Sequence, residues 1–208
     1  FKNCDNTGLK KPKVNITDEW SNKLEKFKAN TFPIIEYNLK RINLISGVAG
    51  SYYGFSNIGA TIHRCKYENG GEYPQQLVDL TVRAFNKRLR NEEFDLVLYV
   101  PPTKSGNLVK NFAEKVAEKL QLPLAHILSK SRHTKQQKIL ENVVLKSDNV
   151  KDAFVCEKPN LIKGRSILII DDIFDSGATI KEIGRYLTEL GAEKIAPLVI
   201  AKTIGGDI

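Results

Sequence analysis

The sequence predicts one α/β domain built on a mostly parallel central sheet with helices on both faces. From about residue 94 onward, short apolar runs typical of buried strands alternate with segments that carry an apolar stripe at helical spacing. The chain has 208 residues, of which 41% are hydrophobic. That is enough for one such domain with a sizeable core and a small attached segment, but not for two large domains.

Four segments predict the strands of this sheet. A continuous apolar run without alternation is typical of a parallel strand buried on both faces. The last segment contains Pro197, which cannot donate to a sheet ladder, so we expect that strand at or near an edge. The segments are FDLVLYV at 94–100, PLAHIL at 123–128, SILII at 166–170 and KIAPLVIA at 194–201.

Apolar residues three or four apart predict three helices that pack on the sheet. The second helix should end before Pro123 and the third at Gly191. The three stripes are Val78, Val82, Phe85 and Leu89, then Leu108, Phe112, Val116 and Leu120, and finally Ile180, Ile183, Leu187 and Leu190.

The first part of the chain is harder to interpret. Residues 17–28 suggest a solvated helix, 34–45 fit either a helix or a strand, and the Gly, Tyr and Ser cluster at 47–59 predicts a loop or irregular hairpin. We therefore expect an N-terminal extension or linker at 1–50, the remnant of a preceding domain, and the main domain at 51–208. Because the chain begins at Phe1 and contains no Met, we expect it to be a piece of a longer protein.

Composition narrows the classes of function. No stretch approaches a membrane span, and three widely spaced cysteines suggest neither disulfides nor a metal site, so we expect a soluble cytoplasmic protein without a membrane partner. The excess of 32 Lys+Arg over 24 Asp+Glu gives a net charge of +8. This charge favours anionic partners such as phosphates, nucleotides or nucleic acid.

The segment ILIIDDIFDSGAT at 167–179 carries the clearest chemistry. The apolar run delivers Asp171 and Asp172 to the carboxyl end of a central strand, where open α/β sheets bind ligands. The turn at 175–179 then begins a helix whose first N–H groups lack helical acceptors, which favours an anion. The spacing suits a ribose 5-phosphate, because the turn binds the phosphate while the acids accept from the ribose hydroxyls or hold Mg²⁺.

This thirteen-residue string resembles the signature of type I phosphoribosyltransferases and implies their fold, with phosphoribosyl pyrophosphate as ligand and Mg²⁺ as cofactor. By that resemblance Asp171 and Asp172 bind the ribose hydroxyls and the metal, and count with Asp175 as catalytic candidates. Asp175 would act as a general base or, alternatively, serve only as a helix N-cap. The 5-phosphate would bind Asp175, Ser176, Gly177, Ala178 and Thr179.

Two further loops match the family's diphosphate-binding regions by position. The turn after the first strand supplies Thr103, Lys104, Ser105 and Gly106, unless it is a plain connection. The basic run at 129–138, which is otherwise a solvated loop, corresponds to a mobile loop that closes over the site, with Arg132 and Lys135 as contributors.

Three more stretches resemble the ComF branch of the family, named for a DNA-uptake competence protein. They are Lys66-Tyr67, the Arg132-x-Thr134-x-x-Gln137 run and Asn149-Val150-x-x-Ala153-Phe154. The run at 1–7 resembles the end of the zinc-binding segment of RecQ-type DNA helicases, although only Cys4 of three ligands is present.

Two functions follow from these resemblances. The first is a phosphoribosyltransferase that joins the sugar phosphate to a nitrogenous base and releases pyrophosphate. The second is an accessory or metabolite-sensing module of a DNA-processing protein, without turnover, that contacts DNA through a basic face or through a linked helicase. Either would be compatible with a homodimer.

Overall fold

The computed structural model describes residues 42–54, 56–68, 71–103, 106–132 and 143–203, together with the backbone of Ile34–Ile35. The predicted helix at 17–28 and the zinc-like run at 1–7 lie outside these residues. So do Lys104, Ser105 and Lys135.

In the described residues the chain forms seven strands and five α-helices. A π-helical turn, Arg64–Glu68, follows the first helix, and a 3₁₀ turn, Pro159–Leu161, precedes the sixth strand. The elements in chain order are β1 (Ile34–Ile35), β2 (Gly47–Tyr53), α1 (Asn57–His63), α2 (Gln75–Arg88), β3 (Leu96–Tyr99), α3 (Leu108–Leu120), β4 (Leu128–Lys130), α4 (Val143–Val150), β5 (Phe154–Cys156), β6 (Ser166–Phe174), α5 (Ala178–Glu189) and β7 (Lys194–Thr203).

Five strands form the main sheet in the order β1-β2-β7-β6-β3. All of its pairs are parallel except β1 with β2. Strands β4 and β5 form a separate antiparallel pair. The predicted α/β class with a mostly parallel central sheet is therefore confirmed.

Strand β6 is buried on both faces of the sheet, as its continuous apolar run predicts. Ile167 to Ile170 are all fully buried, and successive side chains point to opposite faces of the sheet. Ile167 and Ile169 join a core cluster that contains the buried face of α5. Leu168 and Ile170 join a second cluster that contains α2 and α3. The sheet is thus covered on both sides.

The three predicted helices are present as α2, α3 and α5. Helix α3 ends at Gln121, which adopts the left-handed conformation (φ 56°) two residues before Pro123. Helix α5 gives way to Gly191, whose φ of 88° suits a residue without a side chain. In the described parts of the chain, every helix is too short or too polar to cross a membrane.

The expectation that Pro197 places the last strand at an edge is wrong, because β7 lies between β2 and β6. Leu44 pairs with Ile195 and Val48 pairs with Leu198. The chain before β2 therefore has one residue more than β7 between these two pairs, which is a β-bulge. This bulge interrupts the ladder beside the residue that has no N–H to donate. Gly47 also faces Pro197 closely enough that a side chain there would collide with the proline ring and carbonyl.

Two other local predictions need correction. The cluster at 47–59 is neither a loop nor a hairpin, since it contains the regular strand β2 and the start of α1. Segment 123–128 makes only a bridge, Leu124↔Val97, beside β3, and the strand β4 begins at Leu128.

We predict that Gly47→Ala destabilises the protein by about 1–3 kcal/mol, because the new Cβ would lie 2.2 Å from the Pro197 carbonyl oxygen. Urea unfolding followed by circular dichroism measures this change. The neighbouring exposed Ser46→Ala is the control, and equal midpoints for both variants would contradict the close packing of β2 on β7.

Candidate functional site

A cavity of about 580 Å³ opens at the carboxyl ends of the parallel strands. The topology places it there, because parallel strands all deliver their last residues to the same edge of the sheet. All of the predicted ribose-phosphate-binding residues from Asp171 to Thr179 line the cavity. Its other lining residues are Tyr53, His63, Lys66, Tyr67, Val100, Pro101, Pro102, Thr103, Val109, Lys130, Lys146, Val150, Ile180 and Thr203.

The loop at 175–179 turns the chain from β6 into α5 at the wall of the cavity. Gly177 makes this turn with a φ of 74°, a conformation that residues with side chains rarely adopt. The Ser176 hydroxyl accepts from the backbone N–H of Ala178 at 3.5 Å. Helix α5 begins at Ala178, so its N-terminus and the positive end of its dipole face the cavity.

Asp172 is the buried acid of the predicted pair, with only 2% of its surface exposed. Lys66 donates to Oδ1, with Nζ 2.8 Å from that oxygen and 2.7 Å from Oδ2. The Tyr73 hydroxyl donates to Oδ2 at 2.9 Å. Both carboxylate oxygens are therefore satisfied by groups from the segment between α1 and α2, as a buried charge requires.

The pKa values of these partners reflect the same contact. Burial lowers the pKa of Lys66, but the charges of Asp172 and Asp171 and the hydrogen bond to Asp172 outweigh burial and raise it overall. Burial and the Asp172 carboxylate raise the pKa of Tyr73 far above its ordinary value. Lys66 therefore stays charged and Tyr73 stays a neutral donor.

Asp171 is in a different electrostatic state. Burial, followed by repulsion from Asp172, raises its pKa to about 7, although Lys66, Lys130 and the Asp172 N–H oppose the rise. That N–H donates to Asp171 Oδ1 at 2.8 Å. Adjacent carboxylates that cannot both ionise freely are typical of functional sites.

Asp175 is held by two partners across the cavity. Lys146 of α4 donates to Oδ2 at 2.5 Å, and Thr203 at the end of β7 donates to Oδ1 at 3.1 Å. The alternative that Asp175 is a helix N-cap is wrong, because Gly177 occupies the N-cap position and no side chain caps it. Its carboxylate instead joins α4 to the ends of β6 and β7.

The predicted diphosphate residues lie only partly in the cavity. Thr103 lines it and accepts from Lys130 at 2.5 Å, and burial lowers the pKa of Lys130 while Asp171 opposes this. Gly106 is exposed at the start of α3, and Arg132 is exposed and donates to the Lys151 carbonyl at 2.7 Å. Arg132 does not line the cavity.

Sequence reasoning missed five residues that complete the site: Lys66, Tyr73, Lys130, Lys146 and Thr203. Lys66 stood in one of the quoted ComF-like stretches and Lys130 in the basic run, but neither pattern indicated which acid its ammonium would contact. The partner of Lys66 lies 106 residues away along the chain. Only the folded sheet brings these groups together.

The acidic pair is also the Mg²⁺ site that the resemblance implies. Mg²⁺ takes oxygen ligands, often one or two carboxylates together with substrate phosphates. Here both oxygens of Asp172 already accept hydrogen bonds, and an ammonium lies where a bridging cation would approach. In the described residues, no group of three or more Asp, Glu, His or Cys side chains could hold a metal ion. The Asp172 carboxylate as it stands does not fit the cation.

We predict that Asp171→Asn stabilises the protein relative to wild type more at about pH 8 than at about pH 5. The folded-state pKa of about 7 is above that of an unfolded aspartate. The wild type therefore loses stability as pH rises from the unfolded to the folded pKa, whereas asparagine does not titrate.

Urea unfolding at several pH values measures the difference between the variant and wild type. Asp148→Asn, which replaces an exposed aspartate of α4, is the matched control. A difference for Asp171→Asn that does not change with pH would contradict the raised pKa.

Comparison with known proteins gives a family. A family model described as a phosphoribosyl transferase domain matches residues 79–205, which include α3, β6, α5 and β7. A curated relative, the competence protein ComFC of Bacillus subtilis (strain 168), is 29% identical over 133 residues, covering 63% of this chain and 53% of ComFC. The chain thus spans about half the length of this relative.

Three solved structures illustrate the more distant similarity. A glutamine phosphoribosylpyrophosphate amidotransferase from B. subtilis is 20% identical (TM-score 0.41; 66% of this chain and 30% of that chain). A purine phosphoribosyltransferase from Pyrococcus horikoshii Ot3 is 18% identical (TM-score 0.42; 64% and 77%). An adenine phosphoribosyltransferase from Thermoanaerobacter pseudethanolicus is 15% identical (TM-score 0.42; 86% and 99%).

At these TM-scores the structural matches carry no weight of their own. The assignment rests on the family match, which covers more than half of the chain, and on the identity with ComFC. On these grounds the chain belongs to the phosphoribosyltransferase family and is similar to its ComF-like branch.

Proposed function

We propose that the domain binds phosphoribosyl pyrophosphate or a related ribose phosphate in the cavity at the strand ends. The observation that carries this proposal is the placement of an anion-binding helix N-terminus, an acidic pair and three lysines around one space. The loop at 175–179, Asp171 and Asp172 line this space together with Lys66, Lys130 and Lys146. Such a set matches a ligand that has a phosphate at one end and vicinal hydroxyls nearby.

Each part of the ligand has a proposed site. The 5-phosphate binds the loop at 175–179, where Lys146 adds positive charge. The ribose hydroxyls face Asp171 and the Asp172–Lys66 pair. The diphosphate lies toward Thr103 and Lys130, and we keep Lys104, Ser105, Gly106, Arg132 and Lys135 as further proposed contacts; Arg132 would have to leave the Lys151 carbonyl to reach it.

We propose that the domain goes on to transfer the phosphoribosyl group. A nitrogen of a base displaces pyrophosphate from the sugar, positive charge develops on the ring, and the acids below the ring stabilise that charge. Lysines near the diphosphate stabilise the leaving group. Asp175 becomes available as a general base once the entering phosphate competes for Lys146.

One observation favours the second candidate, a binding module without turnover. Asp175 is engaged by both Lys146 and Thr203, so the general base proposed from the sequence is not open in this state. The domain would then sense a ribose phosphate within a DNA-processing protein, either a competence protein such as ComFC or a RecQ-type helicase that carries residues 51–208 after an N-terminal extension at 1–50.

We predict that phosphoribosyl pyrophosphate binds the wild type and that Asp171→Asn and Thr179→Val each weaken this binding by roughly ten- to a hundredfold. Each variant removes one hydrogen bond in which one partner is charged, either the Asp171 carboxylate or the phosphate that Thr179 would contact. Such a hydrogen bond is worth about 1.5–3 kcal/mol. Isothermal titration calorimetry with Mg²⁺ present measures the affinities.

The controls are Asp148→Asn and Thr61→Val. Asp148 is exposed, and the Thr61 hydroxyl donates within α1 to the Asn57 carbonyl. Absence of heat with the wild type, or equal affinities for all variants, would refute the proposed ligand. Pyrophosphate release across a panel of nucleobases then separates a transferase from a binding module.

A further inference from the structure

The acidic pair contains its own cation. Lys66 Nζ lies 2.8 Å and 2.7 Å from the two oxygens of Asp172, and the Tyr73 hydroxyl donates to one of them. The Asp172 side chain is 3% exposed, whereas the Lys66 side chain is 22% exposed and lines the cavity. Lys66 therefore contacts the buried acid on one side and the ligand space on the other.

The remaining acid of the pair has counter-charges as well. Lys66 and Lys130 both act electrostatically on Asp171, and Lys130 reaches Thr103 across the same cavity. In this part of the cavity, two ammonium groups of the described side chains thus offset part of the negative charge of the acidic pair without an added ion.

A divalent cation bound by the same pair would have to displace Lys66. Its charge would repel the ammonium at a separation of a few ångströms, and the displaced ammonium would lose its main hydrogen-bond acceptor in a largely buried position. Such a cation needs open carboxylate lone pairs, and both oxygens of Asp172 already accept from Lys66 or Tyr73.

We infer that Lys66 is the resident cation of the acidic pair and takes the place there that a divalent metal would otherwise fill. The site then binds the hydroxyls and the phosphate of a ribose 5-phosphate without a metal held by Asp171 and Asp172. This inference rests on the proposed function for its ligand. Its statement about metal binding by the free protein stands apart from that function.

Ribose 5-phosphate is the appropriate probe, because it has the hydroxyls and the 5-phosphate but no diphosphate that could bring its own Mg²⁺. Calorimetric titration of the wild type in EDTA and in excess Mg²⁺ should give affinities that agree within about twofold. An affinity at least about tenfold weaker in EDTA would overturn the inference while leaving the proposed ligand class intact.

Substitution of the lysine provides the second measurement. Lys66→Gln should lose affinity for ribose 5-phosphate by about tenfold or more in EDTA and regain part of it in Mg²⁺, because a metal can now approach the acids. Lys194→Gln is the matched control, since Lys194 also pairs with an acid and its side chain is 24% exposed, but it lies outside the cavity. Equal loss in both solutions, without recovery, would contradict the role of Lys66 as the stand-in for a metal.

Mn²⁺ binding to the free wild type keeps the inference testable if the variant does not fold or no ribose 5-phosphate binds. Electron paramagnetic resonance of free Mn²⁺ should show no saturable site that depends on Asp172. A saturable site that disappears in Asp172→Asn would overturn the inference. Absence of ribose 5-phosphate binding in every solution would instead count against the proposed function, and the Mn²⁺ result would still decide the role of Lys66.

Discussion

The candidate site depends on the burial of one carboxylate, that of Asp172. A charge placed at the end of a buried strand is costly unless both of its oxygens are hydrogen-bonded, and removing one partner of such a buried pair typically costs about 3–5 kcal/mol. Lys66 and Tyr73 meet this requirement from the segment between α1 and α2. By doing so they hold that segment beside the end of β6, and Lys66 and Tyr67 of the segment line the cavity. The interaction that satisfies the acid therefore also shapes the space above it.

The other acids repeat this arrangement with less burial. Asp175 joins α4 to the end of β7 through Lys146 and Thr203, and Asp171 faces Lys66 and Lys130 at longer range. A cavity with paired charges is suited to a ligand that exchanges partners with them. In the proposed function a phosphate competes for the ammonium groups and a diol competes for the carboxylates, so the groups that pair in the free site would also be those that bind the sugar phosphate.

The central part of the fold could be predicted because its signals are local. The run Ile167 to Ile170 is apolar on both faces, and both faces are buried. Strand β2 was missed because Gly47, Gly50 and the tyrosines lack the pattern of a buried strand, and its place is decided by close packing against β7. The central position of Pro197 depends on a bulge in the neighbouring chain, which no local pattern reveals.

In the site, too, local features could be predicted from the sequence, whereas contacts between distant residues could not. The loop at 175–179 and the acidic pair are contiguous, so their spacing could be interpreted, whereas the contact of Lys66 with Asp172 spans 106 residues.

The proposed binding of a ribose phosphate at the strand ends is tested most directly by an amide ¹H–¹⁵N NMR titration of the protein with ribose 5-phosphate. We predict that the largest shift changes fall on Gly177, Ala178 and Thr179, at the N-terminus of α5. Binding that leaves these amides unchanged, with the shifts elsewhere on the surface, would contradict it.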